Sequence, residues 1–169
     1  MIRDREKKNI VLIGMPTSGK TTFAALLSRE TGIPAAEMDD EIISMLGTSI
    51  RECFETKGEA YFRRLETEAA KILSEGERKI ISCGGGAVTV PETMRILSEH
   101  GEIYWLKRDL EKLFPTDSRP LSASAEALKQ RYEERLPLYQ KYCDVIIDNN
   151  GTIDETLRQL LACIRKENA

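Results

Sequence analysis

One histidine, His100, and four scattered cysteines, Cys53, Cys83, Cys143 and Cys163, leave the chain without a Cys-x-x-Cys pair or a thiol and imidazole cluster. Zinc therefore has no ligand set, and isolated thiols of this kind read as reduced structural residues of a cytosolic protein. His100 stands before Gly101 at an apparent helix end and reads as a cap. Long apolar runs are missing too: the start, MIRDREKKN, is charged and has no apolar centre, so neither a signal peptide nor a membrane span is expected. Positive charge is not in excess, since 31% of residues are charged and the formal net charge is -3. No global field favours nucleic acid or an anionic membrane, and a small anionic ligand would need local arginines. Repeats, linkers and low-complexity segments are absent as well. The 169 residues fit one domain, 1–169, with a core of its own, and a monomer is expected.

What is present is concentrated near the start. Asn9 to Ser28 reads NIVLIGMPTSGKTTFAALLS, in which Gly14, Gly19, Lys20 and Thr21 have the G-x-x-x-x-G-K-[ST] spacing of a phosphate-cradling loop. Ile10 to Ile13 is an apolar run fit for a buried strand, and Phe23, Leu26 and Leu27 recur at helical spacing behind the loop. Gly14 can take backbone angles closed to a side chain, and Gly19 lets phosphate oxygens approach. The helix start offers free N–H groups and a positive dipole end. Pro16, Thr17, Ser18 and Thr22 complete the expected nucleotide-binding set. Lys20 is placed to reach the β and γ phosphates, and the Thr21 hydroxyl to hold Mg²⁺.

Strand and helix patterns alternate from there on. Ala35 to Met38 is a short strand ending in the acids Glu37, Asp39, Asp40 and Glu41, with Glu37 and Asp39 on one side by strand alternation. Ile42, Met45 and Leu46 begin a helix that Gly47 breaks, and Ser49 caps another through Phe54. Gly58 to Glu75 is a longer helix with Phe62, Leu65, Ala69, Ile72 and Leu73 on its apolar face. Lys79 to Ser82 is a strand running into Gly84, Gly85 and Gly86. Pro91 to Glu99 is a helix and Glu102 to Leu106 a strand, followed by an irregular polar stretch from Lys107 to Ser124. Ala125 to Tyr142 is helical, Asp144 to Ile147 a strand, and Thr152 to Arg165 a closing helix with Ile153, Leu157, Leu160, Leu161 and Ile164 inward. This order predicts an α/β fold: a three-layer α/β/α architecture with a five-stranded parallel sheet, of the P-loop kinase type. Ligands bind such sheets at the carboxyl ends of the strands, where the phosphate loop, the acids and the triple glycine all fall.

Phosphoryl transfer needs a phosphate cradle, a metal, a carboxylate near the acceptor hydroxyl and cations on the migrating charge. The acids after the second strand can supply the carboxylate or can be solvated helix-start residues that favour the dipole, the better reading for Asp40 and Glu41. Three successive glycines are more than a turn requires, which favours backbone contact with a ligand. Arg63 and Arg64 flank the apolar stripe of their helix, and periodicity does not choose between them. Arg119 and Arg135, each near a proline, read individually as surface residues.

Together these segments resemble a known family. GMPTSGKTT, the acidic EMD, GEAYFRRLE, CGGGAV, SRPL and ERLPLY occur in the order found in shikimate kinases, from about Asn9 to Ile147. The resemblance implies a nucleoside-monophosphate-kinase-like fold and transfer of the ATP γ-phosphate to the 3-hydroxyl of shikimate, with Mg²⁺ as cofactor. Lys20, Asp39 and Arg119 would be catalytic, with Asp39 binding the acceptor hydroxyls as base. Arg63 and Arg135 would grip the shikimate carboxylate, which suits a forked guanidinium. Gly84, Gly85 and Gly86 would touch the substrate through backbone, Phe54 and Phe62 would line its pocket, and Glu66 would hold Arg63. Thr21, with Ser82 through water, would support the metal. A substrate-binding helical segment would span about residues 39–75, and a lid about 112–124 would bring in Arg119.

Three departures from the family pattern carry expectations. Glu37 stands where an aspartate is usual, one methylene longer, near the metal's water shell. The span between Leu106 and Arg119 is shorter than usual, and it lacks the arginine that stacks on adenine, leaving Lys107, Arg108 and Lys112 as substitutes. Weak reading of the base follows, with the Asn149-Asn150 loop as a further source of contacts. Two other functions compete: a related P-loop kinase for an acid such as gluconate, which has no need of FRR, GGG and R-x-PLY together, and a nucleotide-binding regulatory domain without turnover. Joint retention of Lys20, Asp39, Arg63, Arg119 and Arg135 speaks against the latter.

Overall fold

Alternation of strand and helix gives five strands and seven α-helices among the described residues of the computed structural model, which are 8–115 and 124–167. The strands are β1 (Asn9–Ile13), β2 (Ala35–Glu37), β3 (Ile80–Ser82), β4 (Gly101–Lys107) and β5 (Val145–Asp148), in the spatial order β2-β3-β1-β4-β5. Every neighbouring pair is parallel, and Val11 of β1 lies level with Ile81 on one side and Ile103 on the other.

Side chains alternate across a strand, so the apolar run of β1 feeds both faces of the sheet. Ile10 and Leu12 join Phe23 and Leu27 of helix α1 (Lys20–Thr31) and Leu160 and Ile164 of α7 (Ile153–Glu167). Val11 and Ile13 face the other way. They pack in a cluster with residues of α2 (Met38–Leu46), α3 (Ile50–Lys57), α4 (Glu59–Ser74), α5 (Pro91–His100) and α6 (Ala125–Tyr142). The sheet thus lies between two helical layers, as the pattern predicts. Met38, Ile42 and Phe62 are fully buried, each contributing about 1.5–3 kcal/mol of burial free energy.

The differences from expectation have local causes. The strand expected over Ala35 to Met38 stops at Glu37, and α2 starts at Met38. Met38 and Ile42, four apart and both buried, place one helical face in the core, and Asp39, Asp40 and Glu41 fill a first turn where the dipole favours acids. Asp39 is therefore a first-turn helix residue and not a strand-end residue beside Glu37. Ile72 and Ile153, expected inward, are 49% and 55% exposed, whereas the charged Glu66 is fully buried on α4. His100 ends α5 and Gly101 runs straight into β4 in extended backbone, so no left-handed cap forms there. Between β4 and α6 the expected irregular stretch begins with a single 3-10 turn, Leu110–Lys112, and Leu113 tucks into the core.

Candidate active site

The phosphate loop links β1 to α1. Gly19, at φ 92°, forms the N-cap of α1 in a left-handed conformation that glycine adopts without strain. Gly14 has no room for more: a Cβ there would lie 2.9 Å from the Leu106 carbonyl oxygen. Thr17 is the one non-glycine with positive φ among the described residues, at 64°. Its hydroxyl lies 3.2 Å from both the backbone N and O of Phe114, tying the loop to the chain beyond β4. The Lys20 ammonium donates to the carbonyls of Gly14 and Met15, both at 2.8 Å, and is held inside the loop. Asn149 of the β5–α7 connection secures the outside: its amide donates to the Ser18 carbonyl, and its oxygen accepts from Thr156.

A cavity of about 260 Å³ opens over this loop, bounded by Lys20 and Thr21 on one side and by Glu37, Asp39, Ser82, Gly84 and Gly85 on the other. Three strand ends supply it, since β1, β2 and β3 are adjacent and parallel. Glu37 is half-buried, and burial raises its carboxyl above the ordinary range, with Asp39 and Asp40 adding to the effect. The neighbouring Ser82 and Thr21 hydroxyls oppose the rise without cancelling it. Cys83 also borders the cavity, but burial pushes its thiol far up and leaves it unreactive.

The triple glycine is explained by close approach. A Cβ on Gly85 would lie 2.6 Å from the Pro16 ring, and one on Gly86 would lie 2.2 Å from the Arg63 guanidinium. Arg63 bonds Glu66 at 2.9 Å and Glu59 at 3.3 Å, and its side chain is only 11% exposed. Arg64 points elsewhere, over the Tyr61 ring. Arg135 on α6 is 4% exposed. Burial and the nearby Arg63 lower its basicity, and the neighbouring Tyr139 hydroxyl opposes the fall. Two desolvated guanidinium groups near each other, one of them paired with Glu66, form a site suited to an acidic ligand.

Lys20, Thr21, Asp39, Gly84 and Gly85 are brought together around the cavity, with Gly86, Arg63 and Arg135 adjoining it. Thr22 and Ser18 line a second cavity of about 190 Å³ on the far side of the loop, beside Arg108, Phe114 and Ile153. Phe62, expected in the pocket wall, is fully buried and packs behind it, 4.8 Å from the Phe54 ring. Asn149 borders that second cavity and bonds Ser18 and Thr156, while Asn150 bonds Asp109 and Asp148. Arg119 and most of the expected lid lie outside the described residues. Sequence reasoning missed Glu59, Tyr139 and the structural use of Asn149. Tyr139 closes the R-x-PLY segment, but neither period nor spacing assigns its hydroxyl a partner.

An anion cradle that encloses a lysine, set across a cavity from a carboxylate, is equipment for phosphoryl transfer to a hydroxyl. With a parallel sheet of this strand order beneath it, the chain falls among the P-loop kinases. Comparison with known proteins narrows the class. The family model described as Shikimate kinase matches residues 16–165. The chain is 37% identical over 166 residues to a shikimate kinase of Ruegeria pomeroyi, covering 93% of this chain and 85% of that one. It is 36% identical over 157 residues to that of Aquifex aeolicus, covering 90% and 93%. Among solved structures, a shikimate kinase from Acinetobacter baumannii in complex with shikimate has a TM-score of 0.87 at 27% identity, covering 97% of this chain and 96% of that one. The crystal structure of the Aquifex aeolicus enzyme has a TM-score of 0.81 at 35% identity, covering 95% and 97%. The chain belongs to the shikimate kinase family.

Proposed function

We propose that this chain transfers the γ-phosphate of ATP to the 3-hydroxyl of shikimate, giving shikimate 3-phosphate and ADP. The observation that carries the reading is one cavity in which Lys20 and Thr21 face Asp39, Gly84 and Gly85, with Arg63 and Arg135 clustered beyond. The loop from Gly14 to Thr22 holds the phosphates through backbone N–H groups and the start of α1. Arg63 and Arg135 fix the acceptor by its carboxylate, and the glycine turn supports it through backbone. Asp39 orients the acceptor hydroxyl and takes its proton as the phosphorus–oxygen bond forms. Lys20 and Arg119 neutralise charge on the transferring group.

Thr21, Ser82 and Glu37 line the cavity together as an all-oxygen donor set, which fits Mg²⁺, a hard cation that takes few protein ligands and keeps water. Thr21 would hold the ion, with Glu37 and Ser82 reaching it through water. When bound, Mg²⁺ would supply positive charge that screens the phosphates. We take the activity to be that of a cytoplasmic monomer without nucleic acid or membrane as partner. All four cysteines are unpaired, and among the described residues no helix is long and apolar enough to cross a membrane. Phosphorus NMR of the products from ATP, Mg²⁺ and shikimate tests the reading: a phosphomonoester coupled to the proton on carbon 3 should grow with ADP. Release of inorganic phosphate alone would overturn it.

A further inference from the structure

Tyr139 enters none of these steps, yet it touches both halves of the site. Its ring is 1% exposed and stacks on Trp105 at 5.7 Å between centroids, the planes 24° apart. Packing explains a ring here but not a hydroxyl, because a buried phenol oxygen costs stability unless it is used. That oxygen donates to the Gly85 carbonyl and lies 3.6 Å from the Met15 sulfur. Arg135, four residues earlier on α6, lies one helical turn away on the same buried face and interacts with it electrostatically. A phenol has one proton to give and lone pairs to receive, so with the proton on Gly85 its oxygen keeps lone pairs that a guanidinium one turn away can use. Burial pushes the hydroxyl up to about 12, so it remains a donor across the neutral range.

The three partners belong to different parts of the site. Met15 is in the phosphate loop, and its carbonyl receives Lys20. Gly85 is in the glycine turn, pressed against the Pro16 ring. Arg135 is on α6, and among the described residues its buried Nε has no hydrogen-bond partner.

We propose that Tyr139 is a positioning residue for the acceptor, its hydroxyl locking the glycine turn and the Arg135 guanidinium in register with the phosphate loop. The inference rests on the assignment of Arg135 and the glycine turn to shikimate. Tyr139→Phe keeps the ring and its stacking and removes only the oxygen. It should melt cooperatively, raise the KM for shikimate about tenfold and leave the KM for ATP within about twofold. In a cycle with Arg135→Lys, the double variant should lose less than the product of the two single effects, because both act on one guanidinium. Unchanged shikimate KM, equal rises in both KM values, or multiplicative effects would each overturn the proposal. Trp105 is the single tryptophan and supplies a readout that needs no variant. Its emission should shift on titrating the unmodified protein with shikimate alone, and a response only to ATP would overturn the coupling. Failure of the unmodified protein to phosphorylate shikimate would instead sink the functional assignment, so the two failures are distinct.

Discussion

Half-buried between Thr21 and Ser82, Glu37 carries a charge that the fold opposes. Its carboxyl ionises at higher pH in the folded than in the unfolded chain, so the protonated form favours folding. That stability is present below the ordinary glutamate range and is lost as pH rises through the raised value. Glu37→Gln should therefore melt higher than the parent at pH 8 without ligands, the gap closing toward pH 4. Its turnover should nonetheless fall about tenfold or more, since the charge serves the metal side. A variant less stable at pH 8, measured by calorimetry across pH, would contradict the assigned cause. Asp39→Asn should lower turnover about 10²-fold with the fold intact, and Lys20→Ala should abolish it. Arg135→Lys keeps charge but not the fork, so it should raise the KM for shikimate while leaving that for ATP unchanged. At this scale the sequence carried Lys20 and Thr21 outright, because their motif fixes both spacing and context. Asp39 was legible as an acid at the right place but was put on the wrong element, since three acids before a buried Ile42 fit a strand end and a helix start equally well. The Tyr139 hydroxyl was not legible, because its partners lie at Met15, Gly85 and Arg135, on three separate segments.

The glycine turn after β3 separates two kinds of crowding. Gly86→Ala would meet the end of the flexible Arg63 side chain, which can move aside. The fold should hold and the KM for shikimate should rise about tenfold as Arg63 is displaced. Gly85→Ala would meet the rigid Pro16 ring, so it should lower the melting temperature and disturb ATP binding as well. Measuring both KM values and the melt for each variant separates the cases, and identical profiles would refute the distinction. The chain after β4 is the other element with a consequence. Phe114 and Ile153, 61% and 55% exposed, border the second cavity, while Arg108 is engaged with the carbonyls of Asn149 and Lys112. Apolar surfaces of this kind hold a base by its faces and do not read its edges. GTP or CTP should replace ATP with less than about tenfold loss of kcat/KM, a difference under roughly 1.4 kcal/mol. Competition assays at saturating shikimate check this, and a hundredfold preference for ATP would refute it. The missing arginine was plain in the sequence. Phe114 was not, because nothing in its spacing shows that its backbone is bound to Thr17.

On the scale of the whole molecule, the fold was legible because its signals are local and repeated. Apolar runs at β1, β3 and β4 alternate with helical stripes, and right-handed parallel connection leaves few arrangements open. Strand order places the ends of β1, β2 and β3 side by side, which gathers the phosphate loop, the acids and the glycines into one cavity. The convergence of Arg63 and Arg135 was out of reach of periodicity, since they come from helices far apart in sequence that pack into one core cluster on the same face of the sheet. That convergence suits an acceptor bearing a carboxylate, and whether shikimate is that acceptor is open to one direct measurement. ADP release from ATP and Mg²⁺ should be followed in a coupled assay without acceptor, with shikimate and with gluconate. Release should be rapid with shikimate and near background in the other two. Equal rates in all three, or preference for gluconate, would contradict it.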